Sequence, residues 1–173
     1  SSILIKITSN GPIFFTQNRV GLRGRHFKQY KFRSMEIDSE KKQQEIMHMN
    51  EQSGPVFKIK NDPRITKIGK LIRKFSIDEL PQLINVLKGN MSLIGPRPLP
   101  VYEVEKFDSE VYYRRHSMKP GITGLWQVSG RNSIQSFDDW VKIDLNYIDN
   151  WSFWLDIKIA IRTFFVILSG SGK

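Results

Sequence analysis

Apolar and polar residues alternate with a helical period from Ile65 to Phe75, in the sequence ITKIGKLIRKF. This pattern predicts an amphipathic helix. The apolar side chains of one face are Ile65, Ile68, Leu71, Ile72 and Phe75. Two interpretations stay open: the apolar face packs on the protein core, or the helix lies as a basic interfacial helix on anionic lipid.

Two short aromatic-rich runs near the N-terminus predict a β-hairpin. PIFFTQNRVG ends at Gly21, HFKQYKFRSM begins at His26, and Gly21-Leu22-Arg23-Gly24 starts the connection. Lys31 and Arg33 are two residues apart on the second arm, so they share one face of a strand. The pattern alone is as compatible with a solvated basic face as with a binding site.

The remaining pattern predicts helices around this small sheet. Residues 34–52 are polar and helical in composition, whereas residues 53–66 predict a short strand broken at Asp62-Pro63. Tyr102 to His116 predicts an amphipathic helix, and another is expected after a Ser136 cap. Together these elements predict an α+β domain: a small antiparallel sheet packed by amphipathic helices.

The last apolar segment, residues 151–168, is hydrophobic almost all round. Asp156, Lys158 and Arg162 interrupt it, so it is too charged to span a bilayer. It predicts either a buried core helix or a helix in the membrane interface, with Trp151 and Trp154 at the level of the lipid headgroups.

Composition limits the class of protein. The 173 residues make one domain, 1–173, with a net charge of +10 and no cysteine. The absence of cysteine excludes disulfides and thiolate metal sites. The positive charge favours a polyanionic partner, which could be nucleic acid, an anionic membrane or a phosphorylated substrate.

The chain is organised around residues 73–98, RKFSIDELPQLINVLKGNMSLIGPRP. Pro81 suits the first turn of a helix, so a helix is expected to start near Asp78 and to end at Gly89. A capping box between Ser76 and Glu79 is the alternative start. Either start places both carboxylates at a helix N-terminus, which favours their ionised form and attracts phosphate.

Arg97 lies between two prolines in GPRP, so its backbone has little freedom. An anionic nucleophile and a rigidly held arginine suit phosphoryl transfer. Asp-Glu before a helix is, by itself, more often only a cap. The Gly-rich segment 118–132 reads as an exposed loop, and its Arg131 suits the approach of a phosphate.

The combination of motifs carries a resemblance. KFRSM, SIDELPQL, NVLKGNMSLIGPRP and PGITGLWQVSGRN occur in this order. They resemble the bacterial sugar transferases, the monotopic polyprenyl-phosphate phosphoglycosyl transferases. The resemblance extends from about Gly11 to the C-terminus.

The resemblance implies an enzyme that initiates surface-polysaccharide synthesis, such as that of exopolysaccharide or lipopolysaccharide O-antigen. A sugar 1-phosphate of galactose or glucose type passes from a UDP-sugar to undecaprenyl phosphate, and UMP is released. Asp78 is implied to be the nucleophile of a covalent phosphosugar intermediate, with Glu79 as its partner. Mg²⁺ is implied as cofactor, with Asp78 and Glu79 as its ligands. The residues implied to bind substrate are Arg97, Arg73, Arg131, Lys31, Arg33, Pro96 and Pro98.

The resemblance also implies a monotopic protein on the cytoplasmic face of the bacterial inner membrane, in contact with its lipid. We expect a re-entrant membrane helix to precede Ser1, because ILIKI reads as the end of a longer apolar element. The oligomeric state stays open, a homo-oligomer included.

Two other functions are compatible with the residues. One is a basic, non-catalytic module that binds membrane or nucleic acid. The sequence shows no helix-turn-helix, zinc-finger or RNA-binding motif, so no nucleic-acid partner is expected. The other is a nucleotidyltransferase that uses the carboxylates only as metal ligands.

Overall fold

A computed structural model describes residues 2–8, 11–130 and 134–170. The predicted hairpin is confirmed: β1 (Phe14–Val20) pairs with β2 (His26–Phe32) in antiparallel register, with Phe14 opposite Phe32. Arg23 in the connection has a φ of 54°, which the tight reversal of the chain requires.

A second sheet was not predicted. β3 (Ser92–Ile94) and β4 (Gly121–Thr123) form a parallel pair. A Cβ on Gly121 would lie 2.1 Å from the Gly95 nitrogen. The expectation of an exposed loop is therefore wrong for Gly121–Thr123, which forms a strand because its glycine allows two backbones to touch. The segment continues into a short helix at Leu125–Val128.

Eight helices surround these two sheets within the described residues, which confirms the α+β class. They are α1 (Ser2–Thr8), α2 (Lys67–Lys74), α3 (Gln82–Leu87), α4 (Val101–Val104), α5 (Glu110–Tyr113), α6 (Leu125–Val128), α7 (Phe137–Asp149) and α8 (Phe153–Leu168). Ser136 caps α7, as predicted, by accepting a hydrogen bond from the Asp139 amide at 3.4 Å.

Three predicted elements were wrong. Residues 34–52 form only the 3-10 turns Lys41–Gln43 and Met47–Met49. No strand forms in residues 53–66, because the Asn50 side chain bonds the backbone of Gln52, Val56 and Lys58 and curls the segment into a loop. The helix expected from Tyr102 to His116 is broken between α4 and α5.

The main core lies beneath α4, α6 and α7. Its centre is Trp126 stacked on Trp140, with ring centroids 3.9 Å apart. The buried members are Val20, Val56, Leu99, Val104, Trp126, Phe137, Trp140, Val141 and Leu145.

α8 is not a core helix, because only Ile159 of its side chains is buried. It belongs to an exposed surface that we call the apolar surface. The elements carrying it touch in series: α1 contacts α2, β3 contacts both α3 and α8, and Gly170 lies against Lys74. Its members are Leu4, Ile7, Leu71, Leu80, Leu83, Ile84, Leu87, Leu93, Phe153, Trp154, Ile157, Ile161, Phe164, Phe165 and Leu168.

α2 packs on the protein with only part of its apolar face. Ile72 is buried, whereas Leu71 remains 49% exposed on the apolar surface. The helix therefore packs on the protein through Ile72 and leaves Leu71 exposed. In the described part of the chain, no helix is both long enough and apolar enough to cross a bilayer.

Candidate functional site

The adjacent carboxylates Asp78 and Glu79 lie on a short 3-10 turn, Ile77–Glu79. The following helix, α3, begins only at Gln82, with Pro81 at its N-cap. Ser76 has a left-handed backbone, φ 53°, and its side chain caps nothing. Both predicted helix starts are therefore wrong, because the turn closes through backbone bonds before the helix begins. The predicted stop is confirmed at Gly89, φ 76°.

Glu79 is held by two cations. Its Oε1 accepts hydrogen bonds from Lys31 Nζ at 2.8 Å and from Arg97 Nη2 at 2.9 Å. Burial alone would raise the pKa of Glu79, but the charges of Arg97 and Lys31 more than offset burial and hold this pKa well below its ordinary value. Glu79 is thus a fixed anion that orients both cations.

Asp78 differs from its neighbour. Its side chain is buried, yet among the described residues none donates a hydrogen bond to its carboxylate. Burial raises the pKa of Asp78, and Lys31 is the strongest opposing charge. The expectation that a helix N-terminus stabilises its charge is wrong, because desolvation dominates on this turn. Asp78 is the carboxylate left available for chemistry.

A buried amide network explains why Lys31 meets Glu79. The Asn85 side chain of α3 bonds the backbone of β2, as a neighbouring strand would. Its Oδ1 accepts from the Tyr30 amide at 3.0 Å, and its Nδ2 donates to the Lys28 carbonyl at 2.7 Å. Gln29 donates to Gln82 at 3.1 Å. These bonds fix α3 against the strand that carries Lys31.

The backbone around Arg97 is anchored at each carbonyl. The Pro96 carbonyl accepts from the Gly121 amide at 3.0 Å, and the Pro98 carbonyl accepts from Arg19 Nη1 at 2.9 Å. The carbonyl of Arg97 accepts from Arg115 Nη2 at 3.0 Å. The stiffness predicted from the two prolines is therefore completed by hydrogen bonds from distant elements.

A cleft of about 1140 Å³ gathers most of the predicted site residues. Its wall includes Asp78, Glu79, Arg97, Lys31, Arg73 and Arg33. Pro96 and Pro98 are buried and do not line the cleft, so they act on it through the backbone of Arg97. Arg131 lies outside the described residues.

Four polar residues near the site were not predicted. Arg19 and Glu103 line the cleft, and burial raises the pKa of Glu103 to about 7. Arg115 and Asp144 form a buried ion pair behind Arg97. Arg19 follows the half-buried side chains Phe15 and Gln17 at a spacing of two, which is a weak signal in the sequence. Arg115 stands beside an exposed arginine and has no sequence signal of its own.

The described residues contain no cluster of three or more histidine, aspartate or glutamate side chains that could hold a metal ion. Mg²⁺ does not require one, because it commonly uses one or two carboxylates and takes its other ligands from substrate phosphates and water. Asp78, which forms no ion pair with a described residue and lies in a cleft lined by cations, fits this mode. Glu79 fits less fully, since Oε1 is engaged by Lys31 and Arg97.

Comparison with known proteins identifies the family. The family model described as bacterial sugar transferase matches residues 1–170. Galactosyl transferase CpsE of Streptococcus agalactiae is 58% identical over 162 residues, covering 94% of this chain and 36% of that protein. Undecaprenyl-phosphate galactose phosphotransferase of Salmonella typhimurium is 46% identical, covering 96% and 36%.

A shorter relative, exopolysaccharide production protein ExoY of Rhizobium meliloti, is 41% identical over 92% of this chain and 72% of its own length. The chain thus spans little more than a third of the first two relatives and most of the third. The cleft residues, the order of their motifs and these matches agree. The chain belongs to the bacterial sugar transferase family.

Proposed function

We propose that this chain is the catalytic domain of a phosphoglycosyl transferase that moves a sugar 1-phosphate from a UDP-sugar to undecaprenyl phosphate. The observation that carries the proposal is the different surroundings of two adjacent carboxylates. Oε1 of Glu79 is engaged by Lys31 and Arg97, whereas Asp78 is buried in the same cleft without a hydrogen bond from a described residue. That arrangement suits a nucleophile surrounded by groups that bind phosphate.

In the first step, an Asp78 carboxylate oxygen attacks the phosphorus that carries the sugar. A bond forms between Asp78 and phosphorus, and the bond from phosphorus to the bridging oxygen breaks. The electron pair leaves with UMP. Arg97 and Lys31, held by Glu79, stabilise the charge on the phosphoryl oxygens, and Arg73 adds positive charge near Asp78.

In the second step, a phosphate oxygen of undecaprenyl phosphate attacks the same phosphorus. The bond to Asp78 breaks and restores its carboxylate, and the product is a diphosphate-linked lipid sugar. Mg²⁺, held by Asp78 and Glu79, would neutralise charge on the donor diphosphate when bound. We propose a sugar of galactose or glucose type, since relatives are named for galactose and for N-acetylgalactosamine.

The surface next to the site suits a lipid-linked acceptor. Leu80 follows Glu79 directly in sequence and is 54% exposed at the edge of the apolar surface. Amphipathic helices with such faces lie in the membrane interface. We propose that the apolar surface rests on the cytoplasmic face of the bacterial inner membrane, so that the polyprenyl phosphate reaches the cleft from the bilayer.

UMP release tests the proposed function. The full chain in lipid vesicles with Mg²⁺ and undecaprenyl phosphate is offered a panel of UDP-sugars. We expect UMP and a lipid-linked sugar diphosphate from at least one donor. A nucleotidyltransferase would give other products, and a binding module would give none.

A further inference from the structure

Arg115 lies directly behind Arg97 and is only 2% exposed. One atom, Nη2, donates both to the Arg97 carbonyl at 3.0 Å and to the Asp144 carboxylate. The guanidinium also lies over the ring of Trp140, 5.2 Å from its centroid. These contacts fix the arginine from three directions.

The consequence is a connected series of charges from the core to the cleft. Asp144 of α7 holds Arg115, Arg115 holds the backbone of Arg97, and the side chain of Arg97 bonds Glu79 at 2.9 Å. A shift of the Arg97 backbone would move its guanidinium relative to any bound phosphate. Misplacement by about 1 Å can cost on the order of 100-fold in rate, even when the altered residue lies away from the chemistry.

We propose that Arg115 is a positioning residue for Arg97, acting through the Arg97 carbonyl and oriented by Asp144. The inference rests on the proposed function, because it assumes that Arg97 binds the diphosphate of the donor. Arg115 does not line the cleft, and the Arg97 carbonyl accepts the hydrogen bond by which Arg115 contacts a residue that does.

Lysine at this position separates positioning from simple charge burial. Arg115→Lys keeps a cation for Asp144, but the lysine side chain is one atom shorter than the path to Nη2 and has no planar face to lie over Trp140. The ammonium therefore does not occupy the position from which Nη2 bonds both the Arg97 carbonyl and Asp144. The neighbouring Arg114 offers a matched control, because its ion pair with Asp149 is on the surface, with 55% and 49% of the side chains exposed. Arg114→Lys should leave kinetics and stability unchanged.

The decisive experiment is a double-mutant cycle between positions 115 and 97. We expect Arg115→Lys to lower kcat/KM about 10-fold or more in the wild-type background and to have little further effect when Arg97 is already lysine. Equal losses in both backgrounds would show that Arg115 acts independently of Arg97, and would overturn the inference. If Arg115→Lys does not unfold cooperatively, Asp144→Asn replaces it in the same cycle with the same expectations.

Calorimetric binding of UDP gives a readout independent of turnover. We expect Arg115→Lys to weaken UDP binding about 10-fold, and only where Arg97 is present. A wild-type protein that binds UDP with this coupling, yet turns over no UDP-sugar, would contradict the proposed function and support the positioning of Arg97. Wild type that binds no UDP, or a variant with unchanged affinity, would overturn the inference.

Discussion

Arg97 donates from Nη2 to Glu79 Oε1 at 2.9 Å, and this bond joins two loops that are separate in sequence. Lys31 reaches the same oxygen from β2. The two cations keep Glu79 ionised and engage its Oε1, while Asp78, one residue earlier, keeps its carboxylate available. Two identical functional groups therefore acquire different chemistry from their surroundings.

The nucleophilic role of Asp78 predicts a covalent adduct. Supplied with the right UDP-sugar and Mg²⁺ but no acceptor, the wild-type chain should gain the mass of one phosphosugar and release UMP. Asp78→Asn is nearly isosteric and lacks the charge, so it should form no adduct and lose at least about 1000-fold in turnover. Intact mass spectrometry measures the adduct. Turnover with sequential kinetics and no adduct would contradict the nucleophilic role and show that Asp78 acts as a metal ligand.

Glu79→Gln should also impair turnover, by a different route. The substitution removes the anion that orients Lys31 and Arg97, and leaves two partly buried cations without their partner. We expect the adduct to form slowly rather than not at all, with a lower melting temperature. Unchanged single-turnover rates of UMP release would contradict the orienting role.

Arg97→Lys tests the geometry of the cation. A lysine keeps the positive charge but cannot make a planar, two-pronged contact with phosphate. We expect a loss on the order of 100-fold in kcat/KM with little change in melting temperature. Steady-state kinetics with the preferred donor measures this loss. Near-normal turnover would show that Arg97 does not bind the donor phosphate through two hydrogen bonds and that GPRP is only a structural turn.

Leu71→Glu tests the apolar surface. Leu71 is 49% exposed on α2, so the charge should not unfold the domain, but it should oppose contact with lipid. We expect weaker sedimentation with anionic liposomes and an unchanged melting temperature. Met47→Glu is the matched control, since Met47 is 43% exposed on the turn Met47–Met49, which is not one of the elements that carry this surface, and the variant should bind liposomes like wild type. Unfolding of Leu71→Glu would assign its side chain to the core.

The pH dependence of the first step follows from Asp78. Burial raises the pKa of Asp78, and only the ionised form attacks phosphorus, so activity should fall with decreasing pH at values above the ordinary aspartate pKa of about 3.9. Glu79 does not account for this loss of activity at low pH, because its pKa is lowered. The profile of kcat/KM against pH measures this loss of activity. Full activity down to about pH 4 would contradict a desolvated nucleophile.

Glu103 predicts a pH-dependent stability. Burial raises the pKa of Glu103 from 4.5 to about 7, so the folded state binds its proton more tightly than the unfolded state. Its contribution is therefore fully present below about pH 4.5 and is lost as the pH rises through about 7. Glu103→Gln should stabilise the protein by up to about 3 kcal/mol near pH 8 and hardly at all near pH 4.5. Urea unfolding at both pH values measures this difference. An equal difference in the free energy of unfolding between variant and wild type at both pH values would contradict the raised pKa of Glu103.

Local chemistry made several features predictable. Aromatic alternation around a Gly-rich turn gave the hairpin, Gly89 gave the end of α3, and Ser136 gave the cap of α7. The candidate site followed from SIDELP, GPRP and KFRSM, whose residues Asp78, Glu79, Arg97 and Lys31 the fold brings to one cleft. Such features depend on a few neighbouring residues, so the sequence determines them.

Long-range packing decided the rest. The pairing of β3 with β4 depends on contact between Gly95 and Gly121, and no local pattern encodes that contact. The pKa of Asp78 rises because the fold buries it, which reverses the expectation from its place before a helix. Arg115 reads in sequence like its neighbour Arg114, yet one is buried against Asp144 and the other is exposed. Desolvation and the partners that relieve it arise only when distant segments meet, so tertiary structure alone distinguishes these residues.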